Sequence, residues 1–428
     1  MSEKKYIRKS LSTATGLLLG GVAAPCAHAF GTDTPWELNA AVLYYGESDG
    51  RVQALEPVIM GRKELDDEEY LNLKLVVDSL TGATPTGAVP SSHPQTFTRP
   101  SGKGSYTIAA GEVPLDDTFH DTRTALSVDW EKALTEMTRS TFGANFSSEF
   151  DFQSLGLSAT IDHDLNQRNT TLTAGIALET DTLEPEGGIP LELASAMVPA
   201  GKPQNRRDSS ETRDQIDLLL GLTQVINERT LMQFNISHSE SDGYHSDPFK
   251  FISIVQDASG PNQGEPLDNI YENRPDSRSK SSFFWKTLHS FTSEDVIDFS
   301  YRYLTDDWGI KSHTMDLRYT WMLDSGSYWQ PHLRFYKQEA ADFYRTLLPQ
   351  SETVPEFISA DYRLGDLAST TVGIKYSQML ASENLIEFRL ELLTQTNDPS
   401  PGSRIGSQAG RQLILDTEAS ILQFTYTF

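Results

Sequence analysis

From Trp36 onward the chain alternates apolar and polar residues with period two, the mark of strands with one greasy and one wet face. Ile297, Phe299, Tyr301 and Tyr303 share one face, while Asp298, Ser300 and Arg302 share the other. Met315, Leu317, Tyr319, Trp321 and Leu323 alternate with Thr314, Asp316, Arg318 and Thr320. Trp329, Leu333 and Phe335 alternate with Gln330, His332 and Arg334, and Ile386, Phe388, Leu390 and Leu392 oppose Glu387, Arg389 and Glu391. Each strand keeps its charges on one side.

Carried along the chain, this pattern predicts strands near 36–46, 51–58, 68–78, 122–133, 139–147, 151–162, 170–181, 214–224, 230–239, 280–290, 296–305, 312–323, 327–337, 368–380, 384–394 and 412–428. Segment 51–58 has the poorest alternation. Most segments match the ~9–11 residues of a tilted membrane-spanning strand. The long connections 79–121, 182–213, 240–279, 338–367 and 395–411 all follow odd-numbered strands, whereas Asn227-Glu228-Arg229, Asp324-Ser325-Gly326 and Ala381-Ser382-Glu383 are short turns. Outer-membrane barrels segregate loop length in this way, and a soluble sandwich has no reason to. The expected fold is all-β: a single transmembrane antiparallel β-barrel of about sixteen strands (about 14–18, given boundary error) with long extracellular loops and short periplasmic turns.

The beginning of the chain reads as an export signal. Lys4, Lys5, Arg8 and Lys9 precede an apolar stretch from Leu11 to Ala24, and Ala27-His28-Ala29 supplies the small residues of a cleavage site. The expected division is a signal peptide over 1–29, removed after about Ala29, and a barrel domain over 30–428. The only cysteine, Cys26, lies inside the signal, so the mature chain has no disulfide, thiolate metal site or cysteine nucleophile. No later apolar run is long enough for a transmembrane helix, so embedding must be by strands. The expected location is the cell outer membrane.

Charge adds one exclusion. With 60 acidic and 35 basic residues the formal charge is −25, and −28 once the signal is gone, which argues against a nucleic-acid partner. The charged residues Asp298, Arg302, Asp316, Arg318, Arg334, Glu387, Arg389 and Glu391 would face the lumen, either setting the selectivity of a pore or forming a lattice of ion pairs. The final segment alternates Leu422, Phe424, Tyr426 and Phe428, an aromatic-ended pattern expected to act as the assembly signal.

Candidate chemistry is sparse. His238, Asp242, His245 and Asp247 are the densest group of possible metal ligands, though no established spacing is matched, and the loop around them carries eight acids against three bases. Asp162-His163-Asp164 suits a turn, and Asp66-Asp67-Glu68-Glu69 a solvated charge run. His313 and Asp316 share a strand but face opposite sides. No nucleophile elbow, phosphate loop or zinc-protease motif occurs, so neither enzyme activity nor a cofactor is expected.

Several stretches together resemble the domain-of-unknown-function 3570 family of bacterial outer-membrane barrels. They are Asp78-Ser79-Leu80-Thr81-Gly82-Ala83-Thr84-Pro85, Gly243-Tyr244 with Ser246-Asp247-Pro248-Phe249-Lys250, Asn273-Arg274-Pro275-Asp276-Ser277-Arg278, Ser300-Tyr301-Arg302-Tyr303, Asp306-Asp307-Trp308-Gly309-Ile310, Ala341-Asp342-Phe343-Tyr344-Arg345 and Ser359-Ala360-Asp361-Tyr362-Arg363-Leu364. Phe249 stands where that family pattern has Tyr. The resemblance implies an outer-membrane barrel that partners a small lipoprotein and periplasmic redox proteins in the envelope. Outer-membrane lipid, lipopolysaccharide and the barrel assembly machinery are expected partners of any such barrel. The functional expectation is a channel, or a conduit or scaffold of an envelope system. The rival is a closed barrel whose acidic loops bind a partner, polysaccharide or divalent cations.

Overall fold

A computed structural model describes residues 36–99, 105–197, 205–207, 209–323, 326–380 and 384–428. The export signal and the two turns at Asp324-Ser325 and Ala381-Ser382-Glu383 lie outside the described residues. Sixteen strands close into one antiparallel barrel. In chain order they are β1 (Glu37–Glu47), β2 (Val52–Asp66), β3 (Glu69–Pro85), β4 (Leu115–Thr135), β5 (Thr138–Ser148), β6 (Phe152–Leu165), β7 (Thr170–Leu183) and β8 (Glu211–Asn227). The second half adds β9 (Thr230–Gly243), β10 (Ser277–Ser290), β11 (Val296–Asp306), β12 (Lys311–Met322), β13 (Tyr328–Gln338), β14 (Asp366–Met379), β15 (Leu385–Asp398) and β16 (Thr417–Thr427). β1 pairs with β16, Val42 opposite Phe424, so every strand has two neighbours and no edge is left unpaired.

The two faces separate as the alternation requires. Leu75, Leu126, Phe142, Ile176, Leu218 and Leu390 are among the large apolar residues pointing outward and exposed. A continuous apolar belt of this kind on a folded chain is a surface made for lipid. Trp36, Trp130, Trp321 and Trp329 sit at the short-turn end of that belt, as an interfacial girdle does.

β2 and β16 depart from the sequence expectation for identifiable reasons. β2 runs on to Asp66, well past 58, because Arg62 and Glu64 turn inward while Lys63 lies over the Trp36 ring at 6.0 Å. Its alternation is masked by Pro57, which has no N–H; the ladder to β3 lapses at Glu56 and Pro57 while pairing to β1 continues through them. The last strand begins at Thr417, not 412, because Arg411 and Leu413 belong to the preceding loop, where Leu413 is buried.

β3 and β4 extend beyond the apolar belt, which shortens their connection to 86–114. Gly82, at φ +141°, lets β3 bend there, since a Cβ would meet the Arg51 carbonyl. Gly243, at φ +117° against the Thr212 carbonyl, does the same at the end of β9. Above these bends the long loops do not wave freely.

Candidate functional site

Two features carry charge in an organised way: the inner wall of the barrel and a roof made by the loops.

All eight lumen candidates lie on the inner face. Asp298, Arg318 and His332 share one register row across β11, β12 and β13, and Glu391 extends it on β15 through Gly373. Their side chains interlock. His332 bridges Asp316 at 2.8 Å and Glu391 at 2.9 Å, Arg318 lies 3.3 Å from Asp316, and Arg389 3.7 Å from Glu391. Lys375 pairs with Glu387 at 3.0 Å, to which the Tyr328 hydroxyl also donates at 2.7 Å. Lys286 holds Asp298 at 3.0 Å. His332, on the polar face by its alternation, proves to be the bridging residue, and Lys286 and Lys375, which the sequence pattern did not single out, hold Asp298 and Glu387.

Arg302 and Arg334 differ from the rest. Both face inward and are exposed, and among the described residues neither pairs with a carboxylate. β4 lies across the ring from β12 and carries Asp129 and Glu131 inward, and β6 to β8 add Asp162, Glu179 and Asp217. One arc of the wall is therefore predominantly acidic and the other rich in cations.

The roof is built from loops that leave distant points of the ring. Sixteen strands ~4.8 Å apart and tilted ~40° make a ring roughly 30 Å across. Loops following β3, β9 and β15 nevertheless meet. The Val89 amide donates to Ser253 Oγ at 2.9 Å, and Gln408 Nε2 donates to the carbonyls of Pro90 at 2.7 Å and Gly264 at 2.8 Å. Chains rooted that far apart meet only by crossing the mouth. A small sheet of 251–255, 266–271 and 348–349 lies at the centre, with Ile252, Val255 and Ile358 fully buried. Ala88, Phe97, Tyr106, Phe251 and Tyr271 form a second apolar cluster.

The loop stretches with family resemblance meet here. Arg274 lies 2.6 Å from Glu272 and 2.8 Å from Asp361, and Arg363 bridges Asp361 at 2.5 Å and Asp247 at 2.6 Å. Lys250 Nζ donates to the carbonyl of Pro85 at 2.5 Å, tying the cluster to the end of β3. Burial opposes ionisation of Asp361, yet Arg363 and Arg274 hold it far below the usual carboxylate range. At Glu272 burial outweighs Arg274 and pushes the carboxyl up. Trp308 stacks edge-on with Phe343 at 5.1 Å, and its indole N–H donates to the Ser277 carbonyl at 2.9 Å.

The proposed metal ligands are not brought together. His238 points outward from β9, bonded to Ser281 at 3.0 Å and Glu240 at 2.8 Å. His245 lies inside the roof against Trp308 at 5.5 Å, where burial lowers its pKa. Asp242 is exposed at the end of β9, and Asp247 is engaged by Arg363. Among the described residues the carboxylates that do converge are Asp121, Glu149 and Asp151, whose oxygens lie within 4.8 Å of one another at the loop end. Burial and Asp121 together raise Glu149 to about 8 and Asp151 to about 6.

The remaining candidates have ordinary partners. Asp162, His163 and Asp164 lie within β6 and not in a turn, which comes at 166–169; Asp164 pairs with Arg139 at 2.8 Å, Thr173 donates to Asp162 at 2.6 Å, and His163 faces outward to Thr138 at 3.0 Å. Glu69 pairs with Lys132 at 3.1 Å. His313 faces outward to the Tyr301 hydroxyl at 2.8 Å, on the side opposite Asp316. Leu422, Phe424 and Phe428 are exposed on the outer wall, Phe424 5.1 Å from Phe388, and the Tyr426 hydroxyl accepts a hydrogen bond from Asn384 at 2.5 Å.

The family model described as "protein of unknown function (DUF3570)" matches residues 8–428. The chain belongs to the DUF3570 family. No curated protein matches it. Among solved structures, this DUF3570 barrel is similar to OpdK of Pseudomonas aeruginosa with vanillate, at 9% identity, TM-score 0.42 and coverage of 94% of this chain and 100% of that one. It is also similar to a mutant ferric enterobactin receptor, PfeA, of the same organism in complex with enterobactin, at 10% identity, TM-score 0.46 and coverage of 90% and 57%. A bacterial polysaccharide outer-membrane secretin matches at 10% identity and TM-score 0.43, covering 92% and 98%. The DUF3570 chain is thus an outer-membrane-type β-barrel by its own closed topology.

Proposed function

We propose that this DUF3570 chain is a water-filled conduit of the outer membrane, covered on its outer side by the loop roof. The observation that carries this reading is the exposure of Arg302 and Arg334 on the inner face. An interior packed with protein would bury or pair those guanidiniums, because an unpaired buried charge is costly. Short connections such as 67–68, 136–137 and 228–229 at the other end cannot reach across a mouth roughly 30 Å wide, so they leave the lumen wall accessible from that side. Passage then requires the roof to rearrange. The surrounding phase is outer-membrane lipid with lipopolysaccharide, and a small lipoprotein or periplasmic redox protein would dock at the short-turn end.

The test is single-channel recording in planar bilayers with heat-modifiable, folded protein. Stepwise current from the wild type, or from Arg274→Ala with a loosened roof, is the expected result. Silence from both, with folding verified, refutes a conduit. It would favour the second reading, a closed barrel whose roof binds a partner, polysaccharide or divalent cations. The feature supporting that alternative is the roof's own buried apolar clusters.

A further inference from the structure

We propose that Arg302 and Arg334 form a station for a small oxyanion solute, a carboxylate or a phosphate, on the lumen wall; access from the lumen rests on the conduit reading. Arg302 on β11 and Arg334 on β13 both sit four residues below the loop ends of their strands, Asp306 and Gln338. They flank β12, whose Thr314 is the register partner of Arg302 and whose Asp316 is that of Arg334. Two strand spacings and a two-residue offset in register separate their backbones by about 12 Å. Side chains as long as arginine's can reach across that gap to one planar or tetrahedral anion, with the hydroxyl of Thr314, in register with Arg302, as a third donor.

The wall's carboxylates are already engaged. Asp316, the nearest acid in register, is bridged by His332 at 2.8 Å and Arg318 at 3.3 Å. Asp298 is held by Lys286, Glu387 by Lys375, and Glu391 by His332 and Arg389. Arg302 instead lies over the Phe284 ring at 5.4 Å, a contact that orients the guanidinium without neutralising it, and it is repelled by Arg334. Among the described residues Arg302 is paired with no acid, and Arg334 has only Asp316 beside it, whose charge His332 and Arg318 already share, so a bound anion would relieve the repulsion between the two guanidiniums. Arginine's fixed fork of donors suits carboxylate and phosphate in a way a lysine ammonium does not. Across the ring, Asp129 faces inward with no ion-pair partner among the described residues, which disfavours an anion on that side.

The test is calorimetric titration of folded protein in detergent with succinate in one arm and inorganic phosphate in the other, at low salt. The wild type should bind at least one of them, and Arg302→Gln with Arg334→Gln should weaken that binding at least ~10-fold while heat-modifiable folding persists. The two arms tell a carboxylate site from a phosphate site. Lys337→Gln, a cation on the outward face of β13, should change nothing. If the double variant misfolds, each single variant should still weaken binding several-fold. No heat from either anion with the wild type, equal binding by the arginine variants, or equal loss in Lys337→Gln would overturn the proposal. Binding without any stepwise current would leave the anion station standing and remove the conduit.

Discussion

Removing Arg274 should unlock the roof while leaving the barrel closed. The Arg274 side chain is 11% exposed, and Glu272 and Asp361, its partners at 2.6 and 2.8 Å, are each 1% exposed. Arg274→Ala therefore strands two buried carboxylates, with Arg363 left to compensate Asp361 alone. Breaking a buried pair from one side costs about 3–5 kcal/mol. At roughly 1.4 kcal/mol per decade, the roof's opening equilibrium should shift by about two to three and a half decades. Hydrogen exchange of the amides in 251–255 and 266–271 reads that equilibrium directly, and those in β4 to β7 serve as the internal reference. Lowering the pH should partly restore protection in the variant, because protonating Glu272 removes the uncompensated charge. Unchanged exchange in the roof would refute the claim that this cluster holds the loops together. An equal loss in the β4–β7 amides would show instead that roof and barrel fold as one unit.

Other outcomes follow from the faces and the rim. Leu390→Arg, on the outer wall beside Ile374 and Leu422, should destabilise the barrel by about 2–4 kcal/mol in denaturant unfolding from vesicles, whereas Arg389→Leu on the inner face should alter ion selectivity or do little. The opposite pattern would reverse the face assignment. Glu149 and Asp151 hold protons in the folded state above their ordinary range, so between the unfolded carboxylate values and about 8 the folded form binds more protons. Stability of the rim should accordingly fall as pH rises through that window, and Glu149→Gln should flatten the profile. Deleting Phe428 should lower the yield of heat-modifiable barrel in cells, with refolding into detergent much less affected.

The barrel was legible because lipid on one side and water on the other impose a period of two on every strand. Arg389 and Leu390, adjacent in sequence, could be assigned to opposite walls from that pattern alone. The roof had no such imprint. Val89, Val255, Leu347 and Ile405 come from four different loops and pack as one cluster, so each looks like an isolated apolar residue in a polar stretch. Charge told only part of it: Asp247 lies near His245 in sequence, but its partner in space is Arg363 on another loop. Arg302 and Arg334 were visible as inward charges, yet their lack of carboxylate partners emerged only once His332, Lys286 and Lys375 were seen to engage the acids.

Because loops from β3, β9, β13 and β15 are keyed into a shared interior, none can diverge by itself. Surface loops of a barrel ordinarily tolerate insertion and drift independently. In this molecule such freedom should be confined to the exposed tips, near 258–262 and 352–355, bounded by the hydrogen bonds of Ser351 to Asp257 and of Asn273 to the Glu356 carbonyl.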